Sequence, residues 1–181
     1  EQAAVVEPVR PLEGGELDRL EPEPHLAVQS IGGQDSLITG VGPRMIDLPT
    51  VGADNENPEE AAAVASLVLG LVEAATRWTG EDGRTRRLGL DDILVVAPYN
   101  LQVNLLKRVL PDTARVGTVD KFQGQEAAVS LISMTTSSEA DLPRHLEFLF
   151  SKNRLNVAIS RAKCLSVVLA NPRLPDMRCR R

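Results

Sequence analysis

The chain has 181 residues, 43% of them hydrophobic and only 3% aromatic, so any core must consist mainly of Val, Leu, Ile and Ala. Its net charge of −5 is unevenly placed: residues 1–97 hold 7 Lys and Arg against 18 Asp and Glu, and residues 98–181 hold 13 against 7. The sequence shows no apolar run of membrane-spanning length, no stretch of basic and then apolar residues typical of a secretory signal, and no metal-ligand spacing among the two cysteines and two histidines. We therefore expect a cytoplasmic protein without a membrane partner or a bound metal.

The amino-terminal segment differs in composition from the rest of the chain. Residues 1–24 combine seven acidic residues with four prolines. Such a segment cannot bury enough apolar surface to fold, so we predict a flexible, acidic, Pro-rich arm. The folded domain is predicted to span residues 25–171. Residues 172–181 contain four arginines and are predicted to be a basic tail or a truncated element.

A strand is predicted over residues 44–49 and a helix after it. Asn57–Glu60 is a strong helix start, because Asn caps, Pro suits the first turn, and Glu60 can return a hydrogen bond to the cap. Apolar residues continue at helical spacing to about Trp78. A polar loop is predicted over residues 79–89.

The second half of the chain alternates between strand and helix signals. Residues 93–97 form a continuous apolar run, which is typical of a strand covered on both faces. Leu101, Leu105 and Val109 define the apolar side of the next predicted helix. Further strands are predicted over 115–119, 128–134 and 165–170, and a helix over 151–163. This alternation predicts an α/β domain with a mainly parallel sheet.

Three segments resemble motifs of superfamily 1 helicases. Residues 116–126 (Val-Gly-Thr-Val-Asp-Lys-Phe-Gln-Gly-Gln-Glu) resemble motif V, and residues 154–162 (Arg-Leu-Asn-Val-Ala-Ile-Ser-Arg-Ala) resemble motif VI. Residues 98–102 (Pro-Tyr-Asn-Leu-Gln) are similar to the motif IV region. The resemblance covers about residues 40–171 and is strongest to the branch that contains nonsense-mediated-decay helicases and the Okazaki-fragment nuclease-helicase. It implies the second RecA-like domain (domain 2A), a three-layer domain of the P-loop NTPase type.

The resemblance also implies what this domain works with. The chain has no Gly-x-x-x-x-Gly-Lys-[Ser/Thr] loop, so the phosphates of ATP and its Mg²⁺ would be held mainly by an N-terminal RecA-like domain. The chain alone is expected not to hydrolyse ATP. The residues in and around the motifs look closest to those of bacterial proteins that fuse a RecB-like nuclease to a helicase. That placement implies single-stranded nucleic acid as the partner, with DNA favoured over RNA. It also implies a role in DNA repair and a location in the bacterial cytosol or nucleoid.

The resemblance assigns the nucleotide to a set of matching residues. The arginine matching Arg161 is an arginine finger, which stabilises charge on the transferring γ-phosphate. Glu126 matches an acid that contacts the ribose, and Gly124 permits a close backbone approach or a positive φ. The other ATP-binding candidates are Tyr99, which could equally cap the core, Gln102, and Arg154, to which the family gives no defined role.

A second set of candidates would contact nucleic acid. Thr118 matches a position near the nucleic-acid backbone in relatives. The full set on this side is Thr118, Asp120, Lys121, Gln123 and Asn156. One position departs from the pattern: Pro58 stands where several relatives have an arginine that contacts the γ-phosphate. Arg154, or an arginine of another domain, is a candidate to replace it.

An alternative function stays open at this stage. A non-catalytic RecA-like module that binds nucleic acid or a protein would explain the basic second half of the chain and the missing phosphate loop. It would not explain an arginine-finger motif. A Rossmann-type enzyme is disfavoured because no Gly-x-Gly-x-x-Gly follows a strand. A nuclease is disfavoured because no paired carboxylates with a lysine lie between adjacent strands.

Overall fold

The computed structural model describes residues 27–29, 40–50, 53, 55–136 and 152–172. The predicted arm over residues 1–24 and the predicted tail from residue 173 onward lie outside these ranges. Among the helices in these ranges, none combines the length and apolar character needed to cross a membrane.

Eight strands and three α-helices make up the described part of the fold. The strands are β1 (Ala27–Gln29), β2 (Gly42–Asp47), β3 (Arg77–Thr79), β4 (Thr85–Arg87), β5 (Ile93–Val96), β6 (Arg115–Gly117), β7 (Ala127–Ser133) and β8 (Ala162–Ala170). The helices are α1 (Pro58–Glu73), α2 (Asn100–Val109) and α3 (Lys152–Ile159).

A five-stranded parallel sheet in the order β2-β8-β7-β5-β6 is the centre of the domain. One face packs against α1 and α2 through the larger apolar cluster, and the other packs against α3 and a short 3₁₀-helix, Val119–Phe122. Strands β5 and β7 are entirely buried. For β5 the continuous apolar run predicts this burial. The predicted three-layer α/β fold of RecA-like type is confirmed.

The chain reverses its direction of travel across the sheet between β5 and β7. From β5 it moves outward through α2 to β6, and from β7 it moves the other way through α3 to β8. The helices that follow the two neighbouring strands therefore lie on opposite faces. A crevice therefore opens at the carboxyl ends of strands β5 and β7, which is the usual place for a ligand in an open α/β sheet.

A small antiparallel sheet, β1-β3-β4, was not predicted. The first helix was expected to continue to Trp78, but α1 ends at Glu73 and Ala75 takes a positive φ of 52°. Trp78 and its neighbours then form β3, because pairing with β4 uses their aromatic and β-branched side chains better than another helical turn does. The loop predicted over residues 79–89 contains β4.

Two further predictions about helices were wrong. In α2 the expected apolar side is largely exposed: Leu101 is 53% exposed, and the buried residues are Gln102, Val103 and Leu106. The hydrogen bonds of Gln102, described below, turn the side of α2 that carries Gln102, Val103 and Leu106 inward. The helix predicted over 151–163 ends at Ile159, since pairing of β8 with β7 begins at residue 162.

Candidate functional site

A pocket lies in the crevice at the carboxyl ends of β5 and β7. Its floor is apolar, and the guanidinium-bearing Arg154 of α3 stands at its wall. The pocket is open on one side, and its volume of about 290 Å³ includes space that is continuous with the solvent. It is lined by Val96, Ala97, Pro98, Val119, Ile132, Met134, Arg154, Leu155 and Ala158. A mainly apolar hollow with one cation suits a flat, apolar ligand that carries a negative charge.

The pocket stands beside a buried network of polar side chains. The backbone N–H of Asn57 donates to Oε1 of Gln102 (2.7 Å), and Nε2 of Gln102 donates to the Asn57 carbonyl (3.2 Å) and to Oγ of Ser133 (3.0 Å). Nδ2 of Asn57 donates to Oγ1 of Thr50 (3.0 Å) and to the Thr135 carbonyl (3.1 Å). The network joins the amino ends of α1 and α2 to the segments that follow β2 and β7.

Glu60 completes this network and differs from the prediction. Asn57 caps α1 through a 3.0 Å bond from the Glu60 N–H, as predicted. The Glu60 carboxylate does not return to the cap; its Oε1 accepts from Oγ of Ser133 (2.5 Å) and from the N–H of Thr135 (2.9 Å). Burial raises the pKa of Glu60 to about 7, against the opposing effect of these hydrogen bonds. Its Oε2 has no partner among the described residues.

Strain in the backbone accompanies the network. Thr135 takes a φ of 72°, which a β-branched residue rarely adopts. Its N–H donates to Glu60 and its carbonyl accepts from Asn57, so two buried partners hold the strained turn after β7. The pocket residue Met134 directly precedes this turn. The network therefore fixes one wall of the pocket.

Three residues predicted to bind ATP lie at this carboxyl edge. Gln102 is 0% exposed and uses both ends of its amide inside the network, so it presents no group to the surface. Tyr99 immediately precedes α2 and packs, partly buried, against the α3-side cluster. This packing is the core-capping alternative considered above for Tyr99. Arg154 lies at the same edge, with its Nη2 3.9 Å from Oδ2 of Asp120.

Residues 118–126, which carry motif V, cross from one edge of the sheet to the other. Thr118 follows the carboxyl end of β6, and Ala127 begins β7 at the amino edge. Gly124 lies on the way and takes a φ of 74°, so the expected positive φ is confirmed. Nζ of Lys121 donates to the Val116 carbonyl (2.9 Å), which folds that side chain back onto β6.

The remaining nucleotide candidates meet at the amino edge. The N–H of Ala127 donates to the Arg161 carbonyl (3.0 Å), which joins the end of motif V to the end of motif VI. Nζ of Lys163 lies 3.5 Å from Oε2 of Glu126. Arg161 is partly buried in the turn after α3, where its Nε donates to the Val157 carbonyl (3.0 Å) and its Nη2 to Oγ of Ser160 (3.2 Å).

The structure therefore divides the predicted ATP set. Gly124, Glu126 and Arg161 lie toward the amino edge, whereas Tyr99, Gln102 and Arg154 lie at the carboxyl edge. The helix predicted over 151–163 would have contained both Arg154 and Arg161, but Arg161 lies beyond the end of α3. Gln123 and Asn156, both nucleic-acid candidates, are exposed.

Within the described ranges, no group of three or more His, Cys, Asp or Glu residues could hold a metal ion. Cys164 is buried in β8 with a free thiol, and burial raises its pKa to about 11. Cys179 lies outside the described residues.

Comparison with known proteins identifies the family. Residues 47–173 match a family model described as an AAA domain. The chain belongs to this family. It is 32% identical over 126 residues to the probable RNA helicase armi of Drosophila melanogaster, which is 65% of this chain and 10% of that protein. It is 31% identical over 118 residues to a DNA replication ATP-dependent helicase/nuclease of Arabidopsis thaliana (65% of this chain, 8% of that protein).

A third relative is also a helicase. The chain is 37% identical over 110 residues to the DNA polymerase alpha-associated DNA helicase A of Schizosaccharomyces pombe, which is 59% of this chain and 14% of that protein. The chain thus spans about a tenth of the length of these curated relatives. It is a superfamily 1 helicase-family domain, and its relatives include both RNA and DNA helicases.

The most important residues that the sequence did not assign to the site are Ser133, Thr135 and the carboxylate of Glu60. Asn57 was predicted only as a helix cap. A signal was present, since Ser133 and Thr135 are polar residues at the end of a mainly apolar run. Their partners lie 73 to 78 residues away in the chain, so the sequence alone does not reveal the pairing.

Proposed function

We propose that this domain is the second motor domain (domain 2A) of an ATP-dependent helicase, with its ATP-facing side at the amino edge of the sheet and its nucleic-acid side at the carboxyl edge. Arg161 would be the arginine finger. The observation that carries the proposal is the backbone bond from Ala127 to Arg161, which joins motifs V and VI beside the Glu126–Lys163 pair.

The residues at the amino edge suit one side of a nucleotide. Arg161 keeps two of its nitrogens on neighbouring groups, so the guanidinium is held in place, and Nη1 has no partner among the described residues. A held guanidinium stabilises phosphoryl charge without having to reorganise. ATP would supply the phosphoryl group, and a Walker-loop domain outside this sequence would hold its phosphates. Glu126 can accept a hydrogen bond from a ribose hydroxyl once the Lys163 ammonium group moves away from its carboxylate.

The carboxyl edge supports a nucleic-acid role by its chemistry. Its pocket is apolar with Arg154 at the wall, which suits stacking of a base and contact with a phosphate. The motif V and VI segments also carry exposed or half-exposed polar residues: Thr118, Asp120, Gln123 and Asn156. We propose DNA as the substrate, within a parent protein that acts in the bacterial cytosol and carries a RecB-like nuclease.

The assignment of Arg161 can be tested in a protein that carries this domain together with a Walker-loop domain. Arg161→Ala is expected to lower kcat by a factor of about 10³–10⁵ and to leave ATP binding nearly unchanged. Arg154→Ala, at the opposite edge, is the matched control and should retain most of the ATPase rate. Equal loss of ATP binding and turnover in Arg161→Ala would make it a binding or folding residue.

The two-domain proposal makes a separate prediction about the chain alone. The purified 181-residue chain should hydrolyse ATP no faster than a buffer blank, because it has no phosphate loop. Clear turnover that co-purifies with the chain would contradict the proposal.

A further inference from the structure

The β3–β4 hairpin carries an unusual cross-strand pair. Arg77 in β3 lies directly opposite Arg87 in β4, and both side chains are exposed. Opposed residues in an antiparallel pair share one face, and like charges in this arrangement repel. The hairpin lies outside the segments that resemble motifs IV, V and VI. Folding does not require these two exposed arginines to lie opposite each other.

Backbone hydrogen bonds define how close the two arginines are. The N–H of Leu88 donates to the Thr76 carbonyl (2.7 Å), and the N–H of Gly80 donates to the Arg84 carbonyl (3.1 Å). Thr76 with Leu88, and Gly80 with Arg84, are therefore hydrogen-bonded pairs at the two ends of the β3–β4 ladder. By alternation, Arg77 and Arg87 form a non-hydrogen-bonded pair, in which the side chains approach most closely.

The arginine pair has no carboxylate partner in the described part of the chain. Arg87 donates only to the Val72 carbonyl (3.4 Å), and the neighbour of Arg77 in β1 is Gln29, so the rung contains no acid. The contrast with Arg86 is clear, because that side chain pairs with Asp82 and lies over the Trp78 ring. The hairpin pairs one arginine with its own acid and leaves Arg77 and Arg87 without an acidic partner among the residues that the structure describes.

The same face offers hydroxyl groups on the next non-hydrogen-bonded rung. Thr79 and Thr85 lie opposite each other with their Oγ1 atoms 3.0 Å apart. When one hydroxyl donates to the other, the hydrogen of the acceptor hydroxyl is still available. The two rungs are about 7 Å apart along the strands. Two guanidinium groups and a hydroxyl on one face are the donor set that phosphate prefers.

We propose that Arg77, Arg87, Thr79 and Thr85 form a phosphate-binding surface that holds the backbone of single-stranded nucleic acid, distinct from the motif V and VI segments. The hairpin connects α1 to β5 at the amino end of β5, whereas the pocket is at its carboxyl end. The surface would therefore be a second nucleic-acid contact, at the amino edge, in addition to the carboxyl-edge side proposed above. The choice of nucleic acid over another polyanion rests on the proposed helicase function. The repulsion within the pair is relieved when a phosphate bridges it.

Binding of a fluorescein-labelled oligo-dT to the purified chain tests the proposal. The double variant Arg77→Gln/Arg87→Gln should weaken binding by about 25-fold at 0.1 M salt and reduce the slope of log K against log salt by about 1.4, the value for two phosphate contacts on a single strand. Lys107→Gln/Arg108→Gln, which removes two exposed charges from the end of α2, is the matched control and should change both quantities much less.

Thermal melting separates this role from a structural one. Because the double variant removes a like-charge pair, its melting temperature should equal or exceed that of the wild type. A lower melting temperature with weaker binding would assign the arginines to folding and overturn the proposal. Unchanged affinity and salt slope would also overturn it, and leave the proposed helicase function standing.

Two further outcomes identify the ligand. If the wild-type chain binds no oligo-dT at all, both this inference and the proposed nucleic-acid side fail together. If poly-glutamate of equal charge displaces the oligonucleotide from the wild type as effectively as unlabelled oligo-dT does, the surface is for acidic peptides and the nucleic-acid assignment is overturned.

Discussion

Glu60 provides the sharpest test of the buried network, because its protonation links stability to pH. In the folded chain burial raises its pKa from 4.5 to about 7. An acid with a raised folded-state pKa stabilises the fold fully below the unfolded pKa. That stability is lost as the pH rises from about 4.5 through about 7, because the unfolded chain releases the proton first. The loss amounts to about 3 kcal/mol, from 1.36 kcal/mol per pKa unit.

Glu60→Gln should remove this dependence. The Gln carbonyl can accept from Ser133 and Thr135 as Oε1 does, and its amide replaces Oε2, which has no partner among the described residues. We expect the variant to match the wild type near pH 4 and to exceed its free energy of unfolding by up to about 3 kcal/mol near pH 8. An unsatisfied amide N–H could reduce this difference by about 1 kcal/mol at every pH.

Urea denaturation, followed by Trp78 fluorescence between pH 4 and pH 8.5, measures the difference. Glu59→Gln is the control, since Glu59 is exposed on the same turn and its substitution should give a curve parallel to the wild type. Parallel pH curves for Glu60→Gln and the wild type would refute the reasoning, because they would mean that Glu60 titrates alike in both states.

Three other predictions follow from burial and strain. Leu106→Ala should destabilise the chain by about 2–5 kcal/mol and Leu101→Ala by less than about 1 kcal/mol, measured by urea denaturation, and a reversed order would reject the observed face of α2. Thr135→Gly should cost about 1–2 kcal/mol less than Thr136→Gly in the same assay, because glycine tolerates the positive φ of residue 135. In a Cys179→Ser background, Cys164 should resist iodoacetamide at pH 8 and react once urea unfolds the chain, whereas rapid labelling of the native chain would show an accessible thiol.

The centre of the sheet could be predicted because its inner strands are buried on both faces. A run such as Ile93–Val96 has no polar residue, and no other short element in an α/β domain requires that composition. The hairpin could not be predicted in the same way. Every residue of β4 is exposed, so neither burial nor alternation marks Thr85–Arg87 as a strand. Its existence depends on pairing with β3, whose residues were predicted as the end of a helix and the start of a loop.

The site was predictable in its residues and not in their arrangement. The resemblance located motifs IV, V and VI, but Gln102, which it assigned to ATP binding, is buried. An amide can be buried only where the fold supplies donors and acceptors for all its groups. Those partners, Asn57 and Ser133, lie 45 and 31 residues away. Spacing within one segment carries no information about them.

The division of the predicted ATP set between two edges has a mechanical consequence. Residues 118–126 are the continuous stretch that joins the carboxyl end of β6 to the amino end of β7. A shift of Arg161 would be transmitted through its backbone bond to Ala127 and along this stretch toward Thr118. Because β5 and β7 are buried and closely packed, the sheet itself deforms little. In the proposed motor, this short connection would therefore carry the change in the nucleotide to the nucleic-acid side.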